Sequence, residues 1–200
     1  VLAVSSRNTY NRGGNSRVAG YDNLGNEYGI TKHNPGLSAV TDEFVSTWDA
    51  STPDEMLGLS ENTLLSIAQS SANGSQYVTD PAHLTYPLSG VTYVELPSGG
   101  TWQSMDFQNS SGIVVVHNSS TDAIIKNLNG GRLDGILIAD DVIHIHNVIY
   151  GAIVSLTPLP SAGNVIGNGS GQVRYSSMAI NNALSNIQTG VSVVAWREVN

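Results

Sequence analysis

Two histidines in the run Asp140-Asp141-Val142-Ile143-His144-Ile145-His146 are the residues of this chain best spaced to do chemistry. Side chains two apart on a β-strand share a face, so His144 and His146 offer two imidazoles to a divalent metal, with Asp140 as a carboxylate ligand. A further ligand comes from register. Gly112 and Gly135 each open a β-branched run, and five residues beyond them stand His117 and Asp140. Adjacent parallel strands in that register make the two neighbours, joined by a charge-assisted hydrogen bond. The candidate metal set is therefore His144, His146, Asp140 and His117. The competing reading is an ordinary half-exposed strand in which Ile143 and Ile145 face inward and both histidines face water.

Glycoside cleavage is the second chemistry to weigh, and it needs two carboxyl groups about 5 to 9.5 Å apart across the scissile bond. Over residues 100–176, the region of recurring strands, the acids are Asp106, Asp122, Asp134, Asp140 and Asp141, and the bases Lys126, Arg132 and Arg174. Trp102, Tyr93 and Tyr150 are the aromatic side chains to test against a sugar ring, although such a residue is more often part of a core or rim. The absence of cysteine excludes disulfides, zinc thiolates and thiol nucleophiles. There is no Gly-x-Ser-x-Gly elbow. The glycine cluster Gly167-Asn168-Gly169-Ser170-Gly171 lacks the Lys-Ser/Thr ending of a phosphate loop and reads as a turn.

Charge narrows the partners. Eight Lys and Arg stand against 16 Asp and Glu, a net charge of -8, with no basic run for nucleic acid or an anionic membrane surface. The apolar stretches fall far short of the roughly 20 residues of a membrane span. The chain begins at Val1 without Met or a charged-then-apolar leader, as expected of a processed or trimmed fragment.

The elements that must position these residues follow from pattern. Two hundred residues, 40% hydrophobic and rich in glycine, suit one β-rich domain over 1–200. Residues 1–49 read as short strands and loops. Residues 50–89 read as a helical insertion and linker: Thr52-Pro53-Asp54-Glu55 places an N-cap, a first-turn proline and acids where a helix dipole favours them. Ser60 is expected to cap a second piece carrying Leu64, Leu65, Ile67 and Ala68, ended by Asn73-Gly74.

From 90 to 176 short β-branched runs recur, and the glycines that open four of them, Gly112, Gly135, Gly151 and Gly171, are spaced by 23, 16 and 20 residues. A loose period near 20 with no room for crossover helices predicts an all-β dominated fold, a short right-handed parallel β-helix or solenoid. A Greek-key sandwich is the alternative, but it predicts no glycine register. Ile113, Val115, Ile136, Ile138, Ile153 and Val173 are expected inside the coil, and Asn118, Asn127, Asn147 and Asn164 at corners. Residues 177–200 read as a C-terminal capping helix with Ile180, Leu184 and Ile187 on one face, then a terminal strand over Val191–Trp196.

The succession Gly112-Ile-Val-Val-Val, Leu133-Asp-Gly-Ile-Leu-Ile-Ala, Ile149-Tyr-Gly-Ala-Ile-Val, Gly167-Asn-Gly and Val173-Arg-Tyr-Ser-Ser resembles the β-helical C-terminal region of bacterial type IV pilus-assembly and pseudopilin-like proteins. The helical stretch from Leu57-Gly58-Leu59-Ser60 extends the likeness. The resemblance covers about half the chain and rests on aliphatic and glycine positions. It implies an extracellular, cell-surface or periplasmic bacterial protein whose membrane anchor would precede Val1, and it carries no catalytic residues. The expectation is thus a non-enzymatic structural or adhesive module that meets a protein partner or filament subunits. No organic cofactor is expected, and a divalent metal is the one open option. A small carbohydrate-active or sugar-binding β-helix is the alternative.

Overall fold

The computed structural model of the protein describes residues 4–6, 15–21, 27–32, 50–103, 106–158, 161 and 170–188. The expected strand at 191–196, the corner at Asn164 and most of the turn at 167–171 lie outside them. Twelve strands are described: β1 (Val4–Ser6), β2 (Arg17–Tyr21), β3 (Glu27–Lys32), β4 (Gln76–Val78), β5 (Val91–Glu95), β6 (Thr101–Gln103), β7 (Asp106–His117), β8 (Ile124–Leu128), β9 (Gly130–Ala139), β10 (Asp141–Ile145), β11 (Val148–Ser155) and β12 (Gln172–Tyr175). Three α-helices accompany them: α1 (Pro53–Met56), α2 (Thr63–Ser70) and α3 (Ser177–Gln188).

The fold is strand-dominated and its sheets are mostly parallel. The larger sheet runs β3-β2-β12-β11-β9-β7-β5-β4, with β1 also on β11, and the smaller runs β10-β8-β6. Every pairing is parallel except that of β2 with β3. Consecutive strands alternate between the two sheets, β5 to β6, β7 to β8 and β9 to β10, through connections too short for a crossover helix. Parallel neighbours otherwise need a connection of a dozen or more residues, and here the opposite sheet supplies it.

Glycine sets the register. Gly112 pairs with Gly135 and Gly135 with Gly151. A Cβ on Gly135 would overlap the Gly112 carbonyl oxygen, and Gly112 itself has φ +97°, which L side chains rarely adopt. Gly171 does not belong to this row. Gln172 pairs with Val148, so Gly171 packs against the Ile145 carbonyl at the preceding turn, four positions out of the expected register.

Two apolar layers follow. Between the sheets lie Val94, Val114, Val116, Leu137, Ile153 and Val173 from the larger sheet, with Trp102, Ile125, Leu128, Val142 and Ile145 from the smaller. On the other face of the larger sheet, Val91, Tyr93, Ile113, Val115, Ile136, Ile138 and Val154 pack with Leu64 and Ala68 of α2 and Ala183 and Ile187 of α3. Ile113, Val115, Ile136 and Ile138 therefore face the helices instead of the inter-sheet core; of the six residues expected inside, Ile153 and Val173 are there. A strand buried on both faces reads as a continuous apolar run, so alternation could not say which face was which.

The helices are placed by the same layer. Thr52 caps α1: its side chain accepts from Glu55 N–H, and the Glu55 carboxylate accepts from the Thr52 N–H, a reciprocal pair. Ser60 does not cap α2. Asn62 is its N-cap, in the left-handed region without a side-chain bond, and the buried Asp54 of α1 supplies the acceptor, taking Asn62 N–H at 3.0 Å and Leu64 N–H at 2.9 Å. One carboxylate thus joins the two helices. Beyond α2, β4 adds a first strand to the larger sheet where a linker was expected.

The opposite end differs from expectation too. Helix α3 does not cover it: α3 lies on the outer face against β7, β9 and β11, because Ala179, Ala183 and Ile187 complement the outward isoleucine rows. The chain start takes that place. β2 pairs with β12 and β3 with β2, while β1 continues along β11 opposite Ile153 to Ser155. Among the described residues no helix is long and apolar enough to cross a membrane.

Candidate functional site

The register brings His117 and Asp140 together. Val116 pairs with Ala139, so the next residues on β7 and after β9 stand side by side, and His117 Nδ1 lies 2.5 Å from Asp140 Oδ1. Asp140 is fully buried, and its second oxygen accepts from the Asn118 and Ala123 N–H groups, each at 3.1 Å. The imidazole is 14% exposed. In the neighbouring strand Glu95 pairs with His117 and accepts from the Tyr77 hydroxyl at 2.7 Å, which raises the Tyr77 pKa. Tyr93, two residues earlier on the same face, is buried, and desolvation pushes its phenol well up, with Asp54, Glu95 and Asp140 adding to the effect.

His144 and His146 form a separate pair. Their rings lie 6.0 Å apart at 50°, and His144 takes a left-handed backbone (φ 57°) beside Asn127 (φ 54°). This breaks the alternation: Val142 and Ile145, not Ile143 and Ile145, reach the inter-sheet core. Burial lowers the His146 pKa, and His144 lowers it further. The expected set of His144, His146, Asp140 and His117 is therefore two pairs that do not converge. Among the described residues no three His, Asp or Glu side chains form a group that could hold a metal ion. His117 ends β7 of the larger sheet, whereas His144 lies on β10 of the smaller sheet with His146 just beyond it, a division that linear spacing could not reveal.

The remaining acids hold corners. Asn118 accepts from Ser120 and Asp122 N–H and donates to Asp122 and to the Pro97 carbonyl. Asp122 also accepts from Ser98 Oγ at 2.8 Å and Gly99 N–H at 2.9 Å, and these bonds, the Gly99 one foremost, depress its pKa. Asp141 takes Val142 and Ser161 N–H, and Asp106 takes Gln108 N–H. These carboxylates satisfy the backbone donors that tight turns leave without a ladder partner.

Of the aromatic candidates, Trp102 is buried against Phe107 with ring centroids 5.7 Å apart, and Tyr93 lies in the helix-covered layer. Tyr150 differs. The guanidinium of Arg132 sits 5.4 Å from its ring centroid and that of Arg174 5.2 Å, one from the strand on each side, and Arg174 also donates to the Tyr150 hydroxyl. Arg132 donates to Asp134 Oδ2 at 2.8 Å.

This group opens onto a pocket of about 410 Å³ between the larger sheet and α3, lined by Ser111, Gly112, Arg132, Asp134, Tyr150, Met178, Ala179, Asn182, Ala183 and Asn186. Among the described residues Asp134 is its one acid. Sequence reasoning named Arg132, Asp134 and Tyr150 without joining them. Their shared position just before the glycine row, Asp134 and Tyr150 each one residue ahead, was the available signal. The role of Asp54 had no such signal, because its partners are eight and ten residues away in a second helix.

No protein-family model, curated protein or solved structure matches this chain.

Proposed function

We propose that this protein is a non-enzymatic scaffold of the cell envelope, a short right-handed parallel β-helix that presents its surfaces to a protein partner or filament such as a type IV pilus. The observation that carries the reading is how the carboxylates are used. Asp54, Asp106, Asp122, Asp140 and Asp141 each accept backbone N–H bonds that hold corners and helix starts. Among the described residues the pocket retains one acid, Asp134, already paired with Arg132. A glycosidase of either stereochemical course needs two carboxyl groups facing one cleft.

Strand order supports the β-helix. Three successive strand pairs lie parallel over one another, alternating between two sheets around one core. Such a stack is rigid, because each pair is held by a continuous ladder on the next. The test is in-cell photo-crosslinking from Met178 and Gln76 in the native host, read by mass spectrometry. Envelope filament subunits among the cross-linked products are expected. Cross-links confined to cytosolic proteins, or release of reducing ends when the purified chain is incubated with acidic and neutral polysaccharides, would overturn the reading.

A further inference from the structure

The smaller sheet carries two imidazoles that take no part in the hydrogen bonding of the described fold. His144 and His146 are half-buried, their rings stand 6.0 Å apart, and among the described residues neither has a hydrogen-bond partner. The other described histidines differ. His117 is committed to Asp140 through Nδ1, and His83 lies exposed in the turn Pro81–His83.

Register builds the pair. Ile143 pairs with Lys126 and Ile145 with Leu128, which sets His144 opposite Asn127 on the preceding turn, and both take a left-handed backbone at the same corner. Asn and His are among the residues that tolerate this region, so the corner belongs to the coil and not to one residue. His146 follows where its N–H bonds the Leu128 carbonyl, beside the exposed Asn129. The corner therefore sets an imidazole pair from one turn over an amide pair from the turn before.

Two neighbouring imidazoles with free nitrogens form a chelate. An ion about 2.0 to 2.1 Å from one nitrogen of each ring, with each centroid roughly 1.2 Å behind its nitrogen, holds the centroids about 5.3 to 5.6 Å apart at tetrahedral to trigonal angles. The observed 6.0 Å reaches that spacing by small rotations inside the side-chain rotamer wells. Charge selects the class of ion. Among the described residues no Asp or Glu joins the pair to make a three-ligand group, and a charged neighbour in the ladder, Lys126, repels cations. Calcium and magnesium bind through carboxylate and carbonyl oxygens and gain little here. Copper(II) and zinc(II) bond imidazole nitrogen directly, copper(II) the more strongly.

We propose that His144 and His146 chelate a late first-row divalent metal ion at this corner of the coil, copper(II) in preference to zinc(II), with water in the remaining positions. The proposal goes beyond the scaffold reading and is independent of it.

The test uses the full untagged chain, freed of metal with EDTA and titrated in turn with copper(II), zinc(II) and calcium chlorides by calorimetry. EPR of the copper adduct counts the bound nitrogens, and imidazole 15N NMR of the zinc adduct identifies the rings. Copper is expected to bind more tightly than zinc, and calcium not to compete. Two nitrogens should split the copper signal, and zinc should shift the His144 and His146 rings together while leaving His83 and His117 in place. His144→Asn installs the residue that already holds the same corner one turn earlier, so the fold is kept. His144→Asn and His146→Gln are each expected to weaken copper by about 10-fold or more, since even an outer-shell partner of a metal ligand is worth that much, and each should remove one nitrogen from the spectrum. His83→Gln should change neither. Copper affinity and nitrogen count unaffected by both variants, zinc shifts confined to His83 or His117, or calcium bound as tightly as copper would overturn the assignment and leave the scaffold reading standing.

Discussion

Replacing Asp140 tests whether a buried carboxylate can hold a turn without doing chemistry. One oxygen accepts two backbone N–H groups, those of Asn118 and Ala123, and the other faces His117 Nδ1. Asp140→Ala removes all three contacts in a site with no solvent access. A buried donor left without an acceptor costs about 1 to 3 kcal/mol, so two orphaned N–H groups predict a loss of about 2 to 6 kcal/mol. Asp140→Asn behaves differently: its amide oxygen can occupy the position that serves both N–H groups, while its NH2 meets His117 Nδ1 once the ring takes the other tautomer. Only the charge assistance is lost, about 1 kcal/mol. Urea denaturation at neutral pH, followed by far-UV circular dichroism, measures both against the wild type. If Asn is as damaging as Ala, the charge and not the backbone acceptor holds the turn. If Ala costs under about 1 kcal/mol, water or main-chain rearrangement satisfies these donors and the corner argument fails.

Asp54→Ala should lower stability by about 1 to 2 kcal/mol through loss of the α2 cap, more than Thr52→Ala at the exposed capping box, as paired denaturation curves would show. Gly135→Ala meets the Gly112 carbonyl oxygen at a backbone angle unsuited to an L side chain, so a loss beyond about 3 kcal/mol is expected, read as insoluble expression or a strongly lowered midpoint. His146 has its folded pKa held below 6.5 by burial first and by His144 second. Its neutral form is favoured by folding, so this contribution is complete above pH 6.5 and is lost as pH falls from 6.5 toward the folded value. His146→Gln should flatten the stability profile in that window, and an unchanged acid slope would show that other groups set it.

How much could be read from the residues divides along a physical line. Features decided within a few residues were legible: the Thr52 to Glu55 start of α1, the apolar face of α3, and the strand runs opened by Gly112, Gly135 and Gly151. The repeated glycine even carried one long-range contact, His117 with Asp140, because identical offsets from a shared register must become neighbours. The fourth glycine misled, since the strand after Gly171 pairs four positions early. The faces of the central strands were not legible, because burial on both sides removes the alternation that distinguishes them. Neither was the placement of β1 and β2 on the far edge, more than 140 residues away in the chain, nor the meeting of Arg132, Tyr150 and Arg174 from three strands with α3 across a pocket. The sequence by itself determined the start of α1 and the shared register of Gly112, Gly135 and Gly151. Only tertiary packing decided which face met the helices, which strand closed the far end, and that Arg132 and Arg174 meet at Tyr150, because those outcomes depend on contacts between segments that no local pattern links.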